Sequence, residues 1–390
     1  MTATTTVRVA TPTADYDAVV GTGLIDTLGD HLREAVPSAT ASLLVTDANL
    51  PDETKQRARA ALTGYRLAEF DLLPTEPDKS IAAWQRILEA CAAHRLERSD
   101  CIIALGGGIV GDTAGFAAAS YRRGVNVIQC PTTLLAMVDA SVGGKTGVNL
   151  SVSGPSGPEG DQPSLLKNFV GAFHHPKRVL ADVSTLHSLP PREFAAGLAE
   201  CIKHSMIAGP YNQADLGPFL DQHLETITAR DEHALAALVA ANIRLKATIV
   251  ATDEHETSTG TAGRALLNLG HTFAHAIETL PGITHNQGDG LLHGEAVALG
   301  LVAAATYAVS TSQLPEPDLD QLLTRLTRAD LPTKAVGLPD PTTVLDRMRD
   351  DKKAAAGRLR LVVPQADAAA TVTSDTDTKA VLAAIDSILA

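Results

Sequence analysis

Aromatic residues make up only 3% of this 390-residue chain, so any core must be filled by Ala, Val, Leu and Ile instead of large rings. Cysteine is as sparse. Cys91, Cys101, Cys130 and Cys201 lie far apart with no Cys-x-x-Cys pair, which disfavours a thiolate zinc site and fits reduced thiols of the cytoplasm. The opening Met1-Thr-Ala-Thr-Thr-Thr-Val-Arg has no apolar stretch of signal-peptide length, and no uninterrupted apolar run reaches a membrane span. Positive charge is also in deficit: 32 Lys and Arg against 45 Asp and Glu give a net charge of −13. That balance argues against nucleic acid or an anionic membrane as a partner, and it implies that basic residues gathered at one place have a specific anion to hold. What remains is an ordinary soluble composition, 45% hydrophobic and 20% charged, with length enough for two domains.

Three motif-level absences narrow the chemistry. Gly143-Gly-Lys-Thr-Gly147 looks like a phosphate loop, but the first glycine of that motif would fall at position 139, which is Asp; this disfavours a P-loop nucleotidase and leaves Lys145 as a candidate anion ligand. Gly106-Gly-Gly108-Ile-Val-Gly111-Asp112 does satisfy the dinucleotide fingerprint between a strand and a helix. It lacks the usual ribose-binding acid, because no Asp or Glu occurs between Thr113 and Val138. A bound dinucleotide must then have its ribose read from elsewhere, with Asp47, Asn49, Glu76 and Lys79 as candidates. Finally, His271 and His275 stand four residues apart in Asn268–Glu278, one turn apart on a helix, with Glu278 further along the face. No glutamate directly follows His271, which disfavours peptide hydrolysis. Leu292-His-Gly-Glu295 supplies a third imidazole, so a metal site with imidazole and carboxylate ligands is expected.

Apolar runs at Tyr16–Val20, Ala41–Thr46, Leu67–Leu73, Cys101–Leu105 and Val125–Cys130 predict strands, and they alternate with helical stretches at 24–35, 81–94 and 113–121. This is the pattern of a largely parallel α/β sheet, whose ligands sit at the carboxyl ends of the strands. Ser151–Ser164, rich in Gly, Pro and Ser, predicts a loop. From Arg192 onward, Ala- and Leu-rich segments at helical spacing predict helices over 192–208, 215–229, 231–252, 263–280, 293–309, 317–328 and 342–350, with a last strand at 359–363. A second, mostly helical domain is expected, with a boundary near 180–190.

Scattered cations (Arg123, Lys145, Lys167, Lys203, Lys246 and Arg264) complete a set suited to a polyanionic, hydroxylated substrate whose alcohol is oxidised by a nicotinamide beside a Lewis-acid metal. Several runs, in order along nearly the whole chain, resemble those of the 3-dehydroquinate synthase family. They are Gly106–Asp112, Pro131–Asp139, Ser141–Gly147, Arg192–Lys203, Asn268–His275 and His293-Gly-Glu295. The resemblance implies a Rossmann-like NAD-binding α/β domain at 1–185, a mostly α-helical metal- and substrate-binding domain at 186–390, and an active site between them. It also implies NAD, a divalent metal (zinc or cobalt) and a homodimer. The expected substrate is 3-deoxy-D-arabino-heptulosonate 7-phosphate, converted to 3-dehydroquinate and phosphate by transient oxidation, phosphate elimination, re-reduction and aldol closure.

Residue by residue, the resemblance assigns the metal to Glu200, His271 and His293, and so moves His275 from ligand to substrate or proton-relay residue. NAD contacts would be Asp47, Asn49, Glu76, Lys79, Gly107, Gly108, Ile109, Asp112, Thr132, Thr133, Lys145, Lys167, Thr185 and Ser188. Catalytic and substrate contacts would be Arg123, Asp139, Lys145, Asn168, Lys203, Lys246, Arg264, Asn268, His275 and Lys353 or its neighbour Lys352. Two departures from the family pattern, a long Pro/Gly-rich segment before Lys167 and about four extra residues between Lys246 and Arg264, flank proposed substrate ligands. The alternatives are another sugar-phosphate cyclase, of the sedoheptulose 7-phosphate type, or a metal-dependent NAD polyol dehydrogenase.

Overall fold

A near-continuous apolar strand is stable only where both faces of its sheet are covered, and the first unit shows this arrangement. The computed structural model describes residues 4–152, 164–258, 263–280, 282–283, 290–350 and 359–390. They divide into two units, Met1–Leu189 with Leu235–Ala247, and Pro190–Ala234 with Thr248–Ala390. The first unit opens with β1 (Thr5–Ala10) and β2 (Asp15–Gly21). It continues through α1 (Leu28–Ala35), β3 (Ala41–Asp47), α2 (Asp52–Ala61), β4 (Arg66–Leu72), α3 (Ile81–Ala93), β5 (Cys101–Gly106), α4 (Gly108–Ser120) and β6 (Asn126–Pro131). It closes with a hairpin, β7 (Lys145–Val152) and β8 (Ser164–Phe173), and with β9 (Arg178–Asp182).

The sheet runs β1-β2-β9-β6-β5-β3-β4, with only β1 antiparallel to its neighbour. Successive residues of β3 and β5 face opposite sides. Leu43, Val45, Ile102 and Ala104 meet Ile87 of α3 and Ala114 of α4, whereas Leu44, Ile103 and Leu105 meet Leu28 and Leu32 of α1 and Ala58 of α2. Because β2 to β6 and β9 all point the same way, Asp47, Gly106, Pro131 and Asp182 end at one edge. The only tryptophan, Trp84 on α3, stacks on Phe116 of α4 with ring centroids 5.3 Å apart and donates its indole N–H to Ser120 Oγ at 2.9 Å.

The second unit consists of α5 (Pro191–Ser205), α6 (Leu216–Thr228), the ends of α7 (Glu232–Thr252), α8 (His271–Glu278), α9 (His293–Ser310), α10 (Glu316–Arg328), α11 (Pro341–Asp350) and α12 (Thr378–Asp386), with one ribbon, β10 (Leu361–Gln365) and β11 (Ala369–Thr373). Helix α9 is buried nearly all round and forms the core of this unit. Small residues let its neighbours approach its backbone. A Cβ on Gly294 would lie 1.9 Å from the Ala196 carbonyl oxygen of α5, and one on Gly300 would lie 2.2 Å from the Gly270 oxygen before α8. Alone among the described helices, α7 is long and apolar enough to cross a membrane by length and composition, yet 72% of that apolar window is buried within the protein, as in a core helix.

One expected helix is broken. The spacing predicts a single helix over 263–280, but Arg264–Asn268 is a 3-10 turn and α8 begins only at His271, after Gly270 at φ 78°. That left-handed backbone ends the first turn and starts the second in a new direction. The predicted loop at 151–164 is bordered by the two hairpin strands, and its residues 153–163 lie outside those described.

All four cysteines are buried and unbridged, and burial pushes the Cys91 thiol up to about 12 and the other three up as well. Native protein at pH 8 is therefore expected to resist alkylation, with every thiol reacting only after denaturation; rapid labelling of the folded chain, read by mass spectrometry, would contradict this. Substituting Gly294→Ala should destabilise the second unit towards the upper end of roughly 1–3 kcal/mol, because the added methyl meets backbone and not a movable side chain. Urea denaturation of the variant measures it.

Candidate active site

Helices α5, α8 and α9 bring Glu200, His271 and His293 together, and one ligand atom from each lies within 4.8 Å of the others. Glu200 Oε1 is 3.7 Å from His271 Nε2 and 3.9 Å from His293 Nε2. Ligands around a tetrahedral ion with bonds near 2.05 Å stand about 3.4 Å apart, so the three groups fit a divalent cation with a small contraction. Glu200 is buried, and among the described residues its carboxylate has the buried Lys203 ammonium as an ion-pair partner and no other hydrogen-bond donor. Its Oε1 is left unserved, and a buried carboxylate oxygen in that state calls for a cation.

The imidazoles are prepared for that task. His271 Nδ1 faces the Leu269 carbonyl at 3.1 Å; with the proton on Nδ1 donated there, the Nε2 lone pair points to Glu200. Burial, then the Lys203 charge, hold the His271 pKa well below the usual imidazole value, so the ring is neutral and ligand-competent. His293 is also opposed by burial, but the hydrogen bond and charge of Glu278 outweigh it and raise its pKa. Its Nδ1 lies 3.4 Å from Glu278 Oε2, the carboxylate that orients the ring. His275 stands beside the other two, 5.5 Å from His271 and 6.4 Å from His293 between ring centroids.

The motif His293-Gly-Glu295 has a framework role that sequence reasoning missed. Glu295 accepts the Leu292 backbone N–H at 2.8 Å to cap α9 and takes a bidentate clamp from Arg192 at the start of α5, at 2.6 and 2.7 Å. A charged pair of this geometry fixes α5 against α9, and with it the separation of Glu200 from His293. The signal was present as a glutamate at the third position of a helix, the capping-box place.

Within the first unit, the glycine turn starts α4 at the carboxyl edge of the sheet, with Gly107 as cap, Gly108 and Ile109 in the first turn, and Asp112 one turn on. A Cβ on Gly106 would lie 3.1 Å from Asp47 Cβ and 2.7 Å from Val110 Cγ2, so β3, β5 and α4 meet here at backbone distance. Asp47 accepts the Asn49 N–H at 2.8 Å, and its half-buried carboxyl is pushed up by burial. Thr132 N–H donates to the Gly106 carbonyl at 2.9 Å, and Thr133 Oγ1 accepts the Ala136 N–H at 3.2 Å.

A charged chain links the turn to the hairpin. Lys79, nearly buried, gives its ammonium to Asp112 at 2.6 Å and to Asn168. Burial pushes the Asp112 carboxyl up, and Lys79 opposes this only in part. Asn149 donates to Glu76 Oε2 at 2.8 Å and accepts the Asn168 N–H at 2.8 Å, which holds Asn168 at φ 52°. Lys246, on the stretch of α7 that belongs to this unit, donates to both the carboxylate and the carbonyl of Asp139, each at 2.6 Å. Lys145 and Lys167 sit exposed on the hairpin. Thr185 and Ser188 spend their hydroxyls on local turns, donating to the Asp182 and Thr185 carbonyls at 2.8 and 2.9 Å. Arg123 lies past the far end of α4, roughly 20 Å from the glycine turn by helix rise. In the second unit Arg264 is buried and donates to the Glu254 carbonyl at 2.7 Å, and Asn268 donates to Glu256 at 2.8 Å. Lys352 and Lys353 lie outside the described residues.

Family models for the 3-dehydroquinate synthase N-terminal and C-terminal regions match residues 69–196 and 197–354. The chain belongs to the 3-dehydroquinate synthase family. It is 40% identical to the 3-dehydroquinate synthase of Rhodopseudomonas palustris (strain BisA53), covering 95% of this chain and 93% of that one. It is also 40% identical to the 3-dehydroquinate synthase of Symbiobacterium thermophilum, over 94% and 96%. Among solved structures, 2-epi-5-epi-valiolone synthase from Streptomyces hygroscopicus subsp. jinggangensis 5008, with NAD+ and Zn2+ bound, superposes with a TM-score of 0.80 at 24% identity, covering 97% of this chain and 98% of that one. A 2-deoxy-scyllo-inosose synthase complexed with carbaglucose-6-phosphate, NAD+ and Co2+ follows with a TM-score of 0.76 at 23% identity, over 99% and 100%. These likenesses establish a shared fold: a parallel sheet flanked by helices, then a mostly helical region.

Glu200→Gln removes the one anionic member of the imidazole–carboxylate triad. It should weaken zinc binding at least about tenfold. Competition against a chromophoric chelator reads this directly, and an unchanged dissociation constant removes Glu200 from the ligand set.

Proposed function

We propose that this protein converts 3-deoxy-D-arabino-heptulosonate 7-phosphate to 3-dehydroquinate and phosphate, using NAD and a divalent zinc or cobalt ion held by Glu200, His271 and His293. The observation that carries the reading is the buried Glu200 oxygen facing two imidazole nitrogens at 3.7 and 3.9 Å in a member of this family. When bound, NAD takes and returns a hydride and the metal polarises the substrate hydroxyls as a Lewis acid. The chain's own groups do the remaining work. Gly107, Gly108 and Ile109 present backbone N–H groups to a pyrophosphate at the start of α4. Asp47, Asn49, Glu76 and Thr133 read the rest of the dinucleotide, and Lys79 holds Asp112 and Asn168 in place beside it.

On the substrate, Lys203 and Arg264 answer negative charge, and Lys246 keeps Asp139 oriented towards a hydroxyl. His275, adjacent to the two ligand imidazoles, carries a proton to or from the sugar. A multiply charged substrate meeting a chain of net charge −13 needs its lysines and arginines gathered in this way. The same reading makes the protein a cytoplasmic homodimer, and exposed Leu165, Phe169 and Phe173 on β8 support pairing with a second copy.

Given the heptulosonate phosphate, catalytic NAD and zinc or cobalt, the purified protein should release one phosphate for each 3-dehydroquinate formed. NADH should not accumulate. Steady NADH production would instead indicate a dehydrogenase, and cyclisation of a different sugar phosphate alone would assign another cyclase.

A further inference from the structure

Among the described residues four lysines are buried: Lys55, Lys79, Lys203 and Lys246. The last three each meet a carboxylate of the candidate site, whereas Lys55 belongs to none of the motifs. Its position is costly. It lies in the opening turn of α2 and is only 5% exposed, and both burial and the positive end of a helix disfavour an ammonium. A residue that breaks the local rules of helix and core alike points to a use other than stability.

Its bonds converge on one turn. Lys55 Nζ donates to the Ala48 carbonyl at 3.2 Å and to Asp71 Oδ1 at 3.1 Å. Asp71, near the end of β4, is itself held by the Thr46 hydroxyl from β3. Ala48 N–H donates to the Leu72 carbonyl at 2.9 Å, and Leu50 N–H to the Asp47 carbonyl at 3.1 Å. The backbone is thus tied on both sides of Asp47 and Asn49 at the carboxyl edge of the sheet, where Asp47 accepts the Asn49 N–H. The Lys55 charge also acts on Asp47 from α2: it opposes the burial that pushes that carboxyl up, whereas Asp71 on β4 adds to it.

We infer that Lys55 is a positioning residue for NAD, resting on the dinucleotide site proposed above: its ammonium pins the Ala48 carbonyl and so gives the Asp47 carboxylate the direction needed to accept the ribose hydroxyls. Lys55 does this without touching the dinucleotide. Asp47 must be ionised to accept from two hydroxyls at once, and a nearby ammonium favours that state. Asp71 has a part in the same device. By taking one N–H of Lys55, it keeps the ammonium from closing onto Asp47 and displacing the ribose.

The test is calorimetric titration of the full chain with NAD at several pH values from neutral downward, beside urea denaturation. Lys55→Met should weaken NAD binding about tenfold at neutral pH. Stability should be unchanged or raised, because an apolar chain replaces a buried charge while Asp71 and Ala48 stay exposed to water. NAD affinity falls on acidification as Asp47 takes up its proton, and in the variant that fall should begin at a higher pH. A merely structural lysine gives the reverse, with lower stability, the same affinity and the same pH profile. Asp71→Asn should also weaken NAD binding, by less, and should add nothing on top of Lys55→Met; alone it decides the matter if Lys55→Met does not fold. Unchanged NAD affinity and pH profile in folded Lys55→Met protein overturn the positioning role and leave the proposed reaction standing. Lys55-dependent NAD binding in a protein that fails to turn over the heptulosonate supports the role while removing that reaction. A chain that binds no NAD overturns both.

Discussion

The meeting of Glu200, His271 and His293 depends on backbone meeting backbone. Glu200, His271 and His293 come from three different helices, and side chains as short as glutamate and histidine converge only if those helices nearly touch. Gly294 lets α5 press its Ala196 carbonyl against α9, and the Gly270–Gly300 contact does the same for α8. The Arg192–Glu295 clamp then locks the first of these contacts. Gly270 and Gly294 each adjoin a histidine of the cluster in sequence, so the close helix approach and the side chains it brings together are encoded in the same short runs.

In the sheet unit the ordering principle is electrostatic. Lys79 and Lys246 are nearly buried and each is matched to a carboxylate, Asp112 and Asp139. Removing either partner leaves a buried charge uncompensated, which is far more damaging than loss of a surface pair. The pairs also preset the direction of the carboxylates, which a rigid recognition site requires.

Much of this was legible in the sequence. The strand runs stand where expected, because a doubly covered parallel sheet forces continuous apolar segments, and the long Ala/Leu helices from α5 to α11 follow their spacing. Of the Glu200–His271–His293 cluster, a candidate metal site, the residues themselves offered His271 and the third imidazole at His293, and Glu200 entered only through the family resemblance. Periodicity alone pairs His271 with His275, since helical spacing sees neighbours on one helix and is blind to Glu200 arriving from another. The break at Gly270 was missed because a glycine inside an apolar-periodic stretch reads as a tolerated weakness. Its left-handed turn becomes evident only with α9 packed beside it. Glu295 was passed over because it reads as a companion of His293, whereas its clamp partner Arg192 arrives from another helix.

The scarcity of aromatic rings leaves the chain with a single indole, and its position gives it a use. Trp84 lies on α3 against α4, the helix that begins at the glycine turn. Its emission therefore watches the sheet unit alone. A fluorescence change on adding nucleotide, set against circular dichroism dominated by the helical unit, separates the behaviour of the two halves of the chain without any engineered label.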